Sequence, residues 1–158
     1  MKIVSGLLLL AAALPVQAQL IEQKSLSMPM ALSIAETAAE TCQAQGYHVS
    51  VHVLGREGQV LVALRGDGSS PHTFENSQRK AYTARTFKSP SGDFVKRVQA
   101  DPGLGAVHLT GVIATQGGLP ILLGDEVIGG VGVSGAPGGD KDEVCAKAGI
   151  DKVSAQLR

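Results

Sequence analysis

The sequence predicts an α+β domain, helices packed on an antiparallel sheet, and three observations carry that reading. Apolar residues recur at helical spacing between residues 29 and 45. The period then drops to two across residues 48–53 and 59–65, with a glycine-bounded turn between the runs. Beyond residue 110, short β-type runs alternate with glycine turns before a last helical segment. The expected order is αββααβββα, without a long linker, a repeat or a low-complexity segment.

In the first helix, Ala31, Leu32, Ala35, Ala38, Ala39 and Cys42 share one face. Pro29 suits its first turn, and Gly46 is the stop. Val49, Val51 and Val53 then alternate with His48, Ser50 and His52, which predicts a strand buried on its valine face. Gly55–Gly58 makes a turn, and Gln59–Arg65 returns as the second strand of a hairpin. After the loop 66–71, residues Glu75–Phe87 read as a helix with Ala81, Ala84 and Phe87 inward. Pro90 opens a shorter helix that ends near Ala100. Strands are expected near 111–115, 119–123 and 127–133, with turns at Gly117-Gly118 and Gly124-Asp125. A final helix is expected from Asp140, as its N-cap, towards Gln156, with Gly149 weakening its middle.

The first 18 residues have the three parts of a secretory signal. Lys2 supplies the positive start, and Ile3–Leu14 form an apolar run of about a dozen residues, short of the roughly 20 that a spanning helix needs. Pro15 breaks the run, and Val16-Gln17-Ala18 offers small residues for cleavage. No Cys lies near the cut to take a lipid. The expectation is a periplasmic or secreted protein of one domain, residues 19–158, free of the membrane after cleavage. Removing Lys2 leaves 13 basic residues (14 − 1) against 14 acidic ones. A balance this close to zero gives no electrostatic footprint for nucleic acid or anionic membrane. Without Trp, and with two Tyr and three Phe, the chain has no aromatic platform for bases.

Cys42 and Cys145 are its two cysteines. In an oxidising compartment an isolated pair reads as a disulfide. A zinc site would need further Cys or His ligands at close spacing, and none flanks either residue. The bridge would join the first helix to the last across a loop of about 100 residues, worth roughly 4–5 kcal/mol in the chain-entropy model.

Several motifs point away from common chemistries. Gly130-Val131-Gly132-Val133-Ser134-Gly135 matches G-x-G-x-x-G, but it lies within the last strand, and the 23 residues after it leave no room for a nucleotide fold. His48 and His52 on a strand stand roughly 13 Å apart, so they cannot share one ion. They read as polar positions on a solvent-facing or subunit-facing side. No Ser–His–Asp or Cys–His set can be assembled, and Ser134 lacks the register of a nucleophile elbow. Asp140, Asp142 and Glu143 fit the first turn of the last helix as partners of its dipole.

One cluster invites a ligand. Arg65-Gly66-Asp67-Gly68, His72, and then Arg79-Lys80-Ala81-Tyr82-Thr83-Ala84-Arg85 would gather cations around a glycine loop. Such a group suits the acid groups of a carboxylate ligand, and equally a salt-bridged surface with Asp67 and Glu75. Candidate ligand-binding residues are Arg65, Asp67, His72, Lys80 and Tyr82, with the Gly117-Gly118 turn. His72 is the first candidate for contact with iron and His108 the second.

Gly117-Gly118-Leu119-Pro120-Ile121, Val127–Gly135 and the acidic start of the last helix, with Arg65-x-Asp67-Gly68 and Lys80-Ala81-x-Thr83-Ala84 before them, resemble the signature of the GlcG/HbpS-like family. The resemblance covers nearly all of residues 28–155. It implies a profilin-like domain, often a dimer or octamer, that binds haem or a corrinoid, as does the C-terminal domain of PduO-type cobalamin adenosyltransferases. Some members are described as haem-degrading. The expected function is therefore an exported binding protein for haem or a related tetrapyrrole, without robust turnover. The alternatives are an accessory factor or small enzyme for a glycolate-type carboxylate, and a structural homo-oligomeric subunit.

Overall fold

The computed structural model describes residues 19–158. The expected signal segment lies outside the described residues. Helix α1 (Met28–Gln43) is followed by β1 (Ser50–Leu54), β2 (Val60–Arg65), α2 (His72–Phe87) and α3 (Ser91–Ala100). A 3-10 turn at Gly105–His108 precedes β3 (Gly118–Leu123), β4 (Glu126–Ser134) and α4 (Gly139–Lys152). The four strands form one antiparallel sheet in the order β2-β1-β4-β3. The α+β class is as expected, with α1 and α4 on one face of the sheet and α2 on the other.

The face under α1 and α4 is a continuous apolar core. Val51 and Val53 of β1 and Val131 and Val133 of β4 meet Ile34, Ala35 and Ala38 of α1 there. The Cys42–Cys145 disulfide is formed across this layer, with its Cα atoms 5.6 Å apart. Gly149 does more than weaken α4: a Cβ there would strike the carbonyl of Ile34, so its absence lets the two helices cross closely.

The opposite face corrects one expectation. Ser50 and His52 are buried rather than turned to solvent or to a subunit, because β1 is a central strand covered on both sides. Their polar groups are met by hydroxyls of α2. Thr73 donates to the Ser70 carbonyl (2.7 Å), so Ser50 gives its proton to Thr73 (2.9 Å). Ser77 likewise donates to the Phe74 carbonyl, which leaves His52 Nδ1 to donate to Ser77 Oγ at 2.8 Å. Burial pushes the His52 imidazole down to about 4. Only His48, just outside the strand, is exposed.

Glycines bring α2 unusually near to β4. A Cβ on Gly130 would lie 2.6 Å from the Ala81 carbonyl oxygen, and one on Gly132 would lie 2.6 Å from the Ala81 nitrogen. The G-x-G-x-x-G run is thus a contact between helix and strand.

Three boundaries differ from expectation. Residues 111–115 are not a strand. Their backbone is held by α2 side chains instead: Ile113 N–H donates to Thr83 Oγ1 at 2.9 Å, and Arg79 donates to the Val112 carbonyl at 2.8 Å. Helix α2 starts at His72, three residues earlier than expected. Helix α4 is capped by Gly138 rather than Asp140 and ends at Lys152, with a short 3-10 turn at Ser154–Gln156 after it. At the far edge, Arg56 Nε donates to the Lys24 carbonyl at 2.9 Å and its guanidinium pairs with Glu126. Lys24 and Ser25 share a small hollow there with Leu157 and Arg158.

Candidate functional site

Helix α2 divides by phase. Thr73, Ser77, Lys80, Ala81 and Ala84 are buried. His72, Glu75, Asn76, Arg79 and Tyr82 recur at three- and four-residue spacing along another side, where residues 107–113 form a facing wall. Two adjoining hollows run between them. One, of about 680 Å³, is lined by Arg79, Tyr82, Val107, His108 and Leu109, with Gly58 and Gly111. The other, of about 270 Å³, is lined by His72, Asn76 and Ile113, and shares Glu75 and Arg79 with the first. From His72 to Tyr82 the groove follows the helix for about 15 Å at 1.5 Å per residue.

Tyr82 is fixed in this groove by glycines on both sides of its ring. A Cβ on Gly58 would come 2.9 Å from Tyr82 Cε2, and one on Gly111 would come 3.1 Å from Cδ1. Both glycines have positive φ, 79° and 82°. Leu109 leaves 53% of its surface exposed at the lip. Arg79 spends one N–H on the Val112 carbonyl and sits 3.6 Å from Glu75, so most of its five donors stay open to the groove.

Lys80 points the other way. Its ammonium is buried against Asp142 at 2.7 Å and also donates to the Val133 carbonyl at 3.1 Å. Asp142 accepts a second bond from the Ala136 N–H at 3.0 Å. Burial raises the Asp142 carboxyl above its ordinary range, against the opposing pull of Lys80 and of Ala136 N–H. Asp142 stands in the first turn of α4, as expected, and is also one half of a buried pair tying α4 to α2.

The expected ligand residues do not converge. His72, Tyr82 and His108 fall on the groove, with His72 at one end and His108 at the other. Arg65 and Asp67 line a separate hollow of about 310 Å³ with Tyr47 and His48. Arg65 there donates to the Ser69 carbonyl at 3.3 Å. Gly117 and Gly118 are buried packing positions: a Cβ on Gly117 would lie 2.8 Å from Lys80 Nζ, and Gly118 N–H donates to Ser91 Oγ at 2.9 Å. Sequence reasoning gave Arg79 no separate role and did not single out Asn76. The helical phase of Ala81 and Ala84 was the available signal, since it turns Lys80 inward and Arg79 outward. Among the described residues, no three His, Cys, Asp or Glu side chains cluster to hold a metal ion, and no helix is long and apolar enough to cross a membrane.

Known proteins share this architecture. Protein GlcG of Escherichia coli is 30% identical over 111 residues, which cover 69% of this chain and 81% of that protein. The crystal structure of HbpS is 37% identical, covers 86% of this chain and 97% of its own, and superposes with a TM-score of 0.80. A crystal structure of a PduOC:heme complex, at 26% identity, covers 80% of this chain and 94% of its own with a TM-score of 0.73. Residues 26–151 match the family described as haem degrading protein HbpS-like, and with that much of its length inside the match the chain belongs to the HbpS-like family.

Proposed function

We propose that the protein binds haem in the groove along α2, with His108 as the ligand of the iron and Arg79 as the partner of the propionates. The observation that carries this reading is the 680 Å³ hollow, in which an imidazole, an arginine with open donors and a clamped tyrosine ring meet beside two glycines. Its size lies in the range of about 300–1,000 Å³ usual for small-molecule sites. Val107 and Leu109 supply an apolar lip. The PduOC:heme complex among the similar structures supports the choice of a tetrapyrrole. When bound, haem would supply iron for ligation and redox chemistry; the chain's own part is to position it.

Hemin titration tests this reading directly. The parent protein is expected to shift the Soret band saturably. His108→Ala should change the spectrum of the bound iron while leaving affinity for metal-free protoporphyrin nearly unchanged. Arg79→Ala should weaken both ligands about ten-fold or more, since a charge-assisted hydrogen bond is worth roughly 1.5–3 kcal/mol. A hemin spectrum that responds to His72→Ala and not to His108→Ala would move the iron to the other end of the groove.

We also infer that the protein is exported. The signal-like residues 1–18 and the Cys42–Cys145 disulfide support this, since such bonds persist in oxidising compartments. Cell fractionation with thiol counting checks it: recovery in the cytoplasm with two free thiols would reject export.

A further inference from the structure

We propose that Thr83 is the positioning residue of the groove: its buried hydroxyl fixes the register of the 107–113 wall against α2 and so sets where His108 stands over a bound haem. This role rests on the haem reading above and extends it.

The wall has few holds of its own. Among the described residues, the backbone N–H groups of Gly103, Leu104, Val107 and Leu109 all donate locally, to Asp101, Leu104 and Ala106. His108, exposed at the end of the 3-10 turn, takes its position from where the chain is next tied down on the C-terminal side. That happens at two residues. The Val112 carbonyl accepts from Arg79 at 2.8 Å, and Ile113 N–H donates to Thr83 Oγ1 at 2.9 Å. Val112 N–H in turn donates to the Leu109 carbonyl at 3.1 Å, which carries the constraint back to the residue after His108.

Of the two ties, Thr83 is the dedicated one. It has no exposed surface. Its one proton goes to the nearer acceptor, the Arg79 carbonyl at 2.8 Å, rather than to the Ile113 carbonyl at 3.3 Å. The lone pairs of the oxygen are left for Ile113 N–H. One hydroxyl thus bonds both the helix turn that bears Arg79 and the wall that faces it. Arg79 has a second task at the propionates, and Thr83 has none. Gly111 already lies against the Tyr82 ring, where a Cβ would come 3.1 Å from Cδ1, so the wall has no room to move closer to the helix. Val112 is fully buried, so removing the hydroxyl frees the wall to shift without detaching it. Arg79 and Tyr82 stand on the helix, whereas His108 stands on the wall. A shifted wall is therefore felt by the iron and much less by the porphyrin ring and its acid groups.

The test compares Thr83→Val, which keeps the shape and removes the hydroxyl, with Thr83→Ser, which keeps the hydroxyl. Hemin and metal-free protoporphyrin are each titrated into the purified proteins. Thr83→Val should weaken hemin about ten-fold or more and move the spectrum of the bound iron towards that of His108→Ala, with protoporphyrin affinity nearly unchanged. Thr83→Ser should restore both the hemin affinity and the spectrum. Adding Thr83→Val to His108→Ala should weaken hemin no further, since both act on one contact. Amide hydrogen exchange on the ligand-free proteins reads the hold itself: Val107, Leu109 and Val112 should exchange faster in Thr83→Val, with Gly118 unmoved. Equal weakening of hemin and protoporphyrin, additive effects with His108→Ala, a serine variant no better than valine, or faster exchange at Ile113 alone would each overturn the proposal. A parent protein that gives no saturable Soret shift would overturn the haem reading instead, and exchange along the wall would still decide whether Thr83 holds it.

Discussion

On one face of the sheet, α1 and α4 bury valine, isoleucine and alanine and are joined by a disulfide. On the other, α2 presses serine, threonine and lysine against glycines, and Ser50, His52 and Lys80 each find a polar partner there. The two layers enclose the same strands, yet they tolerate change differently. The apolar face rests on area removed from water and can relax around a lost methyl group. The α2 face rests on fixed hydrogen bonds and on backbone contacts with no slack, so an orphaned group or an added atom is felt at full cost. The groove proposed for the ligand opens beside α2. A helix whose inner side is locked by hydroxyls and a buried cation can hold its outer side in register for a ligand.

Four experiments probe that contrast, the largest effect first. Lys80→Met alone should cost about 3–5 kcal/mol, because it leaves Asp142 charged and buried without a partner, and adding Asp142→Leu should recover most of the loss. Chemical denaturation of the three variants gives the values; a single mutant as stable as the double would show that the pair is not coupled. On the apolar face, replacing both cysteines by serine should cost roughly 2–5 kcal/mol, towards the upper part because the bridge spans 103 residues. Equal midpoints with and without reductant would remove that contribution.

The third experiment varies pH. The folded His52 titrates near 4 against 6.5 for the free side chain, so the unfolded chain takes up a proton first as pH falls. The stability from this site is complete above pH 6.5 and declines towards pH 4, by about 3 kcal/mol in all at 1.36 kcal/mol per unit. His52→Gln should flatten that slope, and an unchanged slope would assign it elsewhere. The smallest effect is steric. Gly132→Ala should cost about 1–3 kcal/mol by forcing α2 off β4, whereas Gly105→Ala, with nothing within 4 Å of its new Cβ, should be nearly neutral. Equal melting temperatures for the two variants would mean that α2 sits less tightly than its geometry indicates.

The same contrast explains what could be read from the sequence. The apolar face was legible: the spacing of Ala31, Ala35, Ala38 and Cys42 located α1, and the pair of cysteines located its contact with α4. The α2 face was not, for a physical reason. Alternation of His48, Ser50 and His52 with valines looks the same whether the polar side meets water or meets hydroxyls from a helix. Residues 111–115 have the composition of a strand, yet Thr83 and Arg79 claim their backbone groups before a ladder can. Arg65 and Lys80 are near in sequence, but the loop carries them to different cavities, so the expected cation cluster dissolves. Tyr82, His72 and His108, expected as ligand-binding residues, line the groove, and only the fold shows that Arg79, one residue from Lys80, is the cation beside them.

The tether at Arg56 has a topological consequence. It holds the chain at Lys24, next to the hollow that also contains Leu157 and Arg158, so the beginning and the end of the domain lie at one corner. A short glycine-serine linker can therefore join them, and new ends can be opened at the Gly124-Asp125 turn, whose residues are exposed. Such a circular permutant would keep the disulfide and the sheet, and its new ends would lie beside the old ones, since Gly124 N–H donates to the Leu157 carbonyl at 3.4 Å.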